Sequence, residues 1–256
     1  MHPSKINQER LPPPRRQNLC RMKSEPSSVP ALRVIARIRT GFPEKFGIPR
    51  QSGLVPSLRA RIVFEPEYRS PEALRGMEDF THLWLLWIFS ECCRDTWSPT
   101  VRPPRLGGNT RVGVFATRSP FRPNPIGLSS VRLERIDLHT PQGPVLTVSG
   151  ADLMDQTPIL DIKPYLPFTD SHPDASGGFA DSHIHDTLYV DFPDDLQMRL
   201  PPQMRESLTG ILASDPRPAY QSDPQRIYSL SYSGFTVRFR VSGSILTVSE
   251  IFPETP

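Results

Sequence analysis

The chain has 256 residues, 37% of them apolar and 22% charged, with a formal net charge of +3 and a pI near 8.9. That length is enough to bury one or two cores. Three cysteines (Cys20 and the adjacent Cys92 and Cys93) exclude a disulfide framework, and no spacing suits a metal site. The longest apolar run, 83–89, is too short to cross a bilayer, and the N-terminus lacks a signal-peptide core. A reduced, soluble, cytoplasmic protein is expected.

Charge is unevenly placed. Residues 101–135 carry seven arginines against Glu134 alone, whereas 187–256 carry six arginines against eight acids. A basic block beside a near-neutral one suits a polyanionic partner, although a solvated basic face has the same composition.

Residues 1–30 are rich in Pro, Arg, Gln and Ser and poor in apolar residues. Such a tail cannot bury enough surface to offset its ordering entropy, so disorder is expected. Strand patterns begin at "LRVIARIRT" (32–40) and continue in "ARIVFEPEY". "PEALRGMEDF" predicts a short helix, and "HLWLLWIF" a buried strand. "RVGVFAT", "SSVRLERIDLH" and "PVLTVSGADL" add further short strands between Pro/Gly turns. This series predicts a mainly β protein with an antiparallel barrel or sandwich over 31–170, and argues against a Rossmann fold. A linker is expected at 171–186, followed by a small α+β domain over 187–256.

Three loops hold the polar residues that suggest chemistry. "EKFGIPRQSGLVP" (44–56) sets Arg50 and Gln51 beside Ser52 and Gly53, where backbone can approach a ligand closely, yet such loops are also ordinary turns. "GVFATRSPFRPNPIGLSS" stiffens Arg118, Arg122 and Asn124 with three prolines. An arginine held rigidly suits bidentate capture of carboxylate or phosphate. "GADLMDQTPILDIKPYLPFTD" (150–170) gathers Asp152, Asp155, Asp161, Lys163 and Tyr165. Asp152 either accepts hydrogen bonds from a ligand or caps a turn, and Asp161 and Lys163 share one face of an extended run and can pair. His172, His183 and His185 sit in the linker without a fixed partner set, so no metal is expected.

These blocks, with "KFGIPRQ", "RPPRLGGN" and the downstream "DPRPAY", together resemble the bacterial tRNA N6-threonylcarbamoyladenosine methyltransferases across residues 32–252. The resemblance implies a homodimeric, S-adenosylmethionine-dependent enzyme with a β-barrel core and a smaller C-terminal α+β domain. Its substrate would be the threonylcarbamoyl-modified adenosine beside the tRNA anticodon. It further implies cofactor contacts from Gln51, Ser52, Gly53, Arg118, Leu128 and the stretch Ser149, Gly150, Ala151 and Asp152. Glu91 and Cys92 would contribute through their backbone, because the family often has a His-Gln-Thr-like turn there. Arg122, Asn124, Lys163, Tyr165, Arg105, Arg111 and Arg217 fall to the substrate side. The general base stays open among Asp152, Asp155 and His82. A non-catalytic RNA-binding barrel that keeps the pocket is the alternative. Gln156 stands where the family usually has glycine, which predicts a tighter or shifted turn.

Overall fold

The computed structural model describes residues 31–92, 96–103, 106, 108–183, 186–218, 221 and 223–254. Its strands are β1 (Ala36–Arg39), β2 (Arg59–Phe64), β3 (His82–Ile88), β4 (Thr100–Val101), β5 (Val112–Gly113), β6 (Ile126–Asp137), β7 (Val145–Ser149) and β8 (Pro158–Pro164). They continue with β9 (Tyr189–Asp191), β10 (Tyr228–Tyr232), β11 (Phe235–Ser242) and β12 (Ile245–Pro253). Three α-helices are described: α1 (Pro167–Asp170), α2 (Asp194–Gln197) and α3 (Pro202–Ala213). The expected disorder of 1–30 lies outside the described residues, as do Arg105, Cys93 and His185.

Six strands close into a barrel in the order β1-β2-β7-β6-β3-β8, every pairing antiparallel. Closure removes the sheet edges that strands this short would otherwise expose. Alternation decides what fills the inside. In β3, Leu83, Leu85 and Trp87 point inward while Trp84 and Leu86 sit half-buried outside. Ala36, Ile38, Ile62, Leu146, Val148 and Ile159 complete a core without solvent exposure. An expected mainly β barrel is therefore what the chain builds.

Local details differ from the sequence expectations. "PEALRGMEDF" forms two 3-10 turns, Pro71–Leu74 and Met77–Asp79, instead of one helix, because Gly76 between them takes a left-handed φ of 82°. "RVGVFAT" yields only the two-residue β5 before a 3-10 turn at Val114–Ala116. The extended "PILDIKP" is a full strand, β8, which closes the barrel between β1 and β3. Gln156 does adopt the glycine-like geometry, with φ at 66°. Its side-chain amide bonds Asp155 Oδ2 at 3.0 Å and its backbone N–H bonds Ile38 O at 2.9 Å, which hold a conformation few side chains adopt.

A second core lies under a four-stranded sheet ordered β10-β11-β12-β9, with β9 parallel to β12. Helix α3 packs Leu208, Ile211 and Leu212 against Leu230, Val237, Phe239 and Leu246. The connection between β1 and β2 belongs to this core too, through Phe42, Val55 and Leu58. Ser207 Oγ donates to Ser57 O at 2.9 Å, and Ser233 N to Gly41 O at 2.7 Å. The loop holding Gln51, Ser52 and Gly53 is thus anchored at its base by the second core and presented to the barrel.

Candidate functional site

The proline-rich loop is braced from within. Thr117 Oγ1 donates to Val114 O at 2.8 Å and accepts Ser119 N, and Arg122 Nη1 donates to Thr117 O at 2.9 Å. The guanidinium of Arg122 also lies 6.0 Å from the Phe115 ring centre. Pro125 O accepts Phe89 N at 2.9 Å, tying the loop to the exit of β3. Arg122 therefore braces the loop, while Arg118 reaches across to Gln51 Oε1.

Beside this pair, β7 ends where two loops meet. Gly53 N donates to Gly150 O, and Gly150 N to Leu58 O, each at 2.8 Å. Gly150 has φ at 76°, and a Cβ there would sit 3.3 Å from Gly53 Cα. Only glycine lets the two backbones approach so closely with that turn. Ser52 Oγ accepts Ser130 N at 3.2 Å, which seats the loop on β6.

Asp152 sits at the buried end of a hydrogen-bond chain. The buried indole of Trp87 donates to Ser129 Oγ at 3.0 Å, and Ser129 Oγ donates to Asp152 Oδ1 at 2.6 Å. Burial pushes the Asp152 carboxyl above its ordinary value, outweighing the hydrogen bonds from Ser129 and the backbone and the positive charge of Arg118. The site thus pairs a cation with a carboxylate whose proton is retained more readily than in water.

A cleft of about 570 Å³ is lined by Pro43, Glu44, Lys45, Phe46, Glu91 and Met154. Lys45 Nζ donates to Glu91 O and to Cys92 Sγ, both at 3.1 Å. The turn at Ser90–Cys92 is therefore held by its backbone and its thiol, with the loop before β2 supplying the cation.

Ser149 Oγ donates to Glu134 Oε1 at 2.6 Å, and Ala151 is packed into the barrel core. Leu128 is 53% exposed, on the same outward face of β6 as the exposed Ile126. The Asn124 carbonyl accepts Ile126 N at 2.8 Å. Lys163 pairs with Asp161 at 2.8 Å, and Tyr165 packs against His82 and Trp84. Those two residues sit where β3 begins, Leu83 opposite Pro164, whereas the Arg118 loop enters at Ile126, opposite Ile88. The fold does not bring them together. His82 shares that far end, opposite Arg132, and Asp155 caps Thr40 N at 3.0 Å. Arg217 grips Asp215 through two bonds of 2.8 and 2.9 Å and is only 14% exposed, so its side chain is turned inward. Arg111 is exposed. Sequence reasoning missed Ser129 and Lys45; the serine pair 129–130 interrupting an apolar strand was the available signal for the first.

Two family models match the chain: tRNA-methyltransferase O N-terminal domain over residues 37–171, and the TrmO C-terminal domain over 187–254. The chain belongs to the tRNA-methyltransferase O family. It is 43% identical over 227 residues to the tRNA (adenine(37)-N6)-methyltransferase of Escherichia coli K12, covering 86% of this chain and 96% of that one. It is also 43% identical to a putative S-adenosylmethionine-dependent methyltransferase of Pseudomonas aeruginosa, across 77% of this chain and 86% of the relative. A crystal structure of TrmO from Pseudomonas aeruginosa superposes with a TM-score of 0.69 at 33% identity, covering 88% of this chain and 99% of that chain. Among the described residues no group of His, Cys, Asp and Glu suits a metal ion, and no helix is long and apolar enough to cross a membrane.

Proposed function

We propose that this TrmO family member is an S-adenosylmethionine-dependent methyltransferase acting on N6 of the threonylcarbamoyl-modified adenosine beside the tRNA anticodon. One observation carries the reading: Arg118–Gln51 and Ser129–Asp152 converge on the glycine-tight meeting of Gly53 and Gly150. The group the cofactor presents has a carboxylate, an ammonium and ribose hydroxyls, and this donor set matches it. Arg118 would hold the carboxylate, Asp152 the ammonium or ribose, and the backbone of 51–53, 91–92 and 150–151 the purine and sugar. Bound there, the cofactor supplies an activated methyl group on a sulfonium.

The chain's own task is alignment and proton control. Forming the new N–C bond requires the acceptor nitrogen to give up a proton, and Asp152 is the candidate with the suitable environment. Asp155 is committed to its cap and His82 lies at the other end of β3. Asn124 and the exposed Arg111 would meet the substrate, while Arg122 supports them by bracing the loop. Lys163, Tyr165 and the inward-turned Arg217 are not assigned to the pocket.

The reading extends to assembly. Trp97, Phe115, Phe121, Ile126 and Leu128 leave an exposed apolar set beside the pocket, and it supports a homodimer with the pocket near its interface. Two functional domains, 31–170 and 187–256, joined by 171–186, and a cytoplasmic location complete the proposal.

Transfer of labelled methyl from S-adenosylmethionine to threonylcarbamoylated tRNA, against unmodified tRNA as control, is the test. Activity on the modified tRNA alone is expected. Tight cofactor binding without turnover on either RNA would leave the non-catalytic RNA-binding barrel instead.

A further inference from the structure

The barrel's outer surface carries a band of arginines that no part of the pocket uses. Residues facing outward alternate with core residues, so β1 contributes Arg37 and Arg39, β2 Arg59 and Arg61, and β6 Arg132 and Arg135. The registers set them in rows across four neighbouring strands. Arg39 stands opposite Arg61, Arg61 opposite Thr147 and Thr147 opposite Arg135. In the next row Arg59 stands opposite Ser149, and Ser149 opposite Arg132.

Acidic side chains answer only part of this charge. Arg37 pairs with Glu65 at 2.9 Å, Arg39 with Asp155 at 3.9 Å, Arg132 with Glu134 at 3.5 Å and Arg135 with Asp137 at 2.9 Å. Arg59 and Arg61 are exposed and have no ion-pair partner among the described residues. Like charges directly opposite on neighbouring strands repel and weaken the sheet. Arg39 and Arg61 accept that cost at the β1–β2 side of the band.

We propose that this face of β1, β2, β7 and β6 is the surface on which the backbone of the tRNA lies, a proposal that rests on the tRNA reading above. Three strand spacings of ~4.8 Å give a band about 14 Å wide, over which a helical nucleic-acid strand rising ~3.4 Å per nucleotide passes about four phosphates. On β6 the exposed Ile126 and Leu128 lie in the stretch that pairs with β3, whereas the stretch that pairs with β7 carries Arg132 and Arg135, so the rows themselves are polar. Its second row runs through Ser149, the residue before Gly150–Asp152, so phosphates on the flanking Arg59 and Arg132 lead a nucleotide toward the pocket. Phosphate contacts of this kind set register without reading bases.

The experiment uses the full chain and the double substitution R59A/R61A. Binding of threonylcarbamoylated tRNA is measured across salt, with cofactor affinity and melting temperature measured alongside. Affinity should fall about tenfold or more near physiological salt, and the slope of log K against log salt should drop by one to two units. Cofactor affinity and melting temperature should hold, and R59K/R61K should recover most of the binding. Unchanged tRNA affinity and slope in R59A/R61A would overturn the proposal and leave the face to an acidic protein. If the wild-type chain binds no tRNA, the functional reading fails with it; wild-type binding and turnover with an indifferent double variant sinks the surface alone.

Discussion

Two tryptophans three residues apart on β3 aim their indole N–H groups at opposite ends of the barrel, one onto a carboxylate and the other onto a serine that donates to one. At the far end Trp84 donates directly to Asp170 Oδ2 at 2.8 Å, which also accepts Leu166 N at 3.0 Å. Those bonds hold Asp170 below its ordinary value, since the carboxylate stays in water. At the other end Trp87 reaches Asp152 through Ser129, and burial drives the carboxyl up despite the bond. The two hydrogen-bonded carboxyls shift in opposite directions because desolvation outruns hydrogen bonding only where the barrel excludes water. One end is a charged clamp on α1; the other holds a carboxyl raised by burial beside a cation.

The sharpest way to break this comparison is to substitute one cation at each end. Arg118→Ala should weaken S-adenosylmethionine binding by about 1.5–3 kcal/mol, as loss of a charged hydrogen bond implies, while Lys163→Ala leaves it unchanged. Calorimetry giving equal losses would show that the two ends are not functionally distinct.

A smaller effect is expected on stability from Gly127→Ala. Gly127 stands opposite Trp87 in the ladder, and a Cβ there would overlap the indole ring. Overpacking of this kind costs about 1–3 kcal/mol, read from urea unfolding, and it should also shift the Trp87 emission. Unaltered stability and emission would mean that the ring is not confined as described.

The two carboxyls should also respond to pH with opposite signs. Asp152, raised in the folded state, binds its proton more tightly there than when unfolded, so its contribution to stability falls as pH rises through the window above the ordinary value of about 3.9. Asp170, lowered when folded, stabilises above that value, and its contribution is lost as pH falls toward the folded value. Asp152→Asn should remove the first slope and Asp170→Asn the second, in unfolding measured between pH 3 and 7 (roughly the range where carboxyls titrate). Identical pH profiles for the two variants would contradict the assignment.

The smallest effect belongs to the exposed pair at the far end. Lys163→Ala breaks the 2.8 Å contact with Asp161, and stability should change by no more than about 0.5 kcal/mol. A larger loss in thermal unfolding would mean that the pair anchors β8.

Alternation of apolar residues in "HLWLLWIF" and "VRLERID" was enough to place strands, because a period of two marks one buried face whatever the partner strand is. The stiffness of "TRSPFRPNP" was legible for a similar reason: proline restricts its own residue locally. The same reading gave Arg118 to the cofactor and grouped Arg122 with Lys163 and Tyr165 on the substrate side. In the fold Arg122 turns back onto Thr117 O, and the length of β3 separates Lys163 from the loop. Proximity in sequence does not carry across a closed barrel.

What the sequence determined by itself is whatever depends on neighbours along the chain: strand periodicity, the uneven arginine content, the proline-braced loop and the order of motifs that mark the TrmO family. What only the tertiary structure decided depends on register between strands far apart in sequence. Ser129 meets Asp152 because β6 and the end of β7 run side by side, and Ser52 joins them because Phe42, Val55 and Leu58 sink into the second core. Arg39 and Arg61 become neighbours only when β1 and β2 pair. Side-chain chemistry is written residue by residue, but burial, and with it the sign of a carboxyl's shift, is a property of everything packed around it.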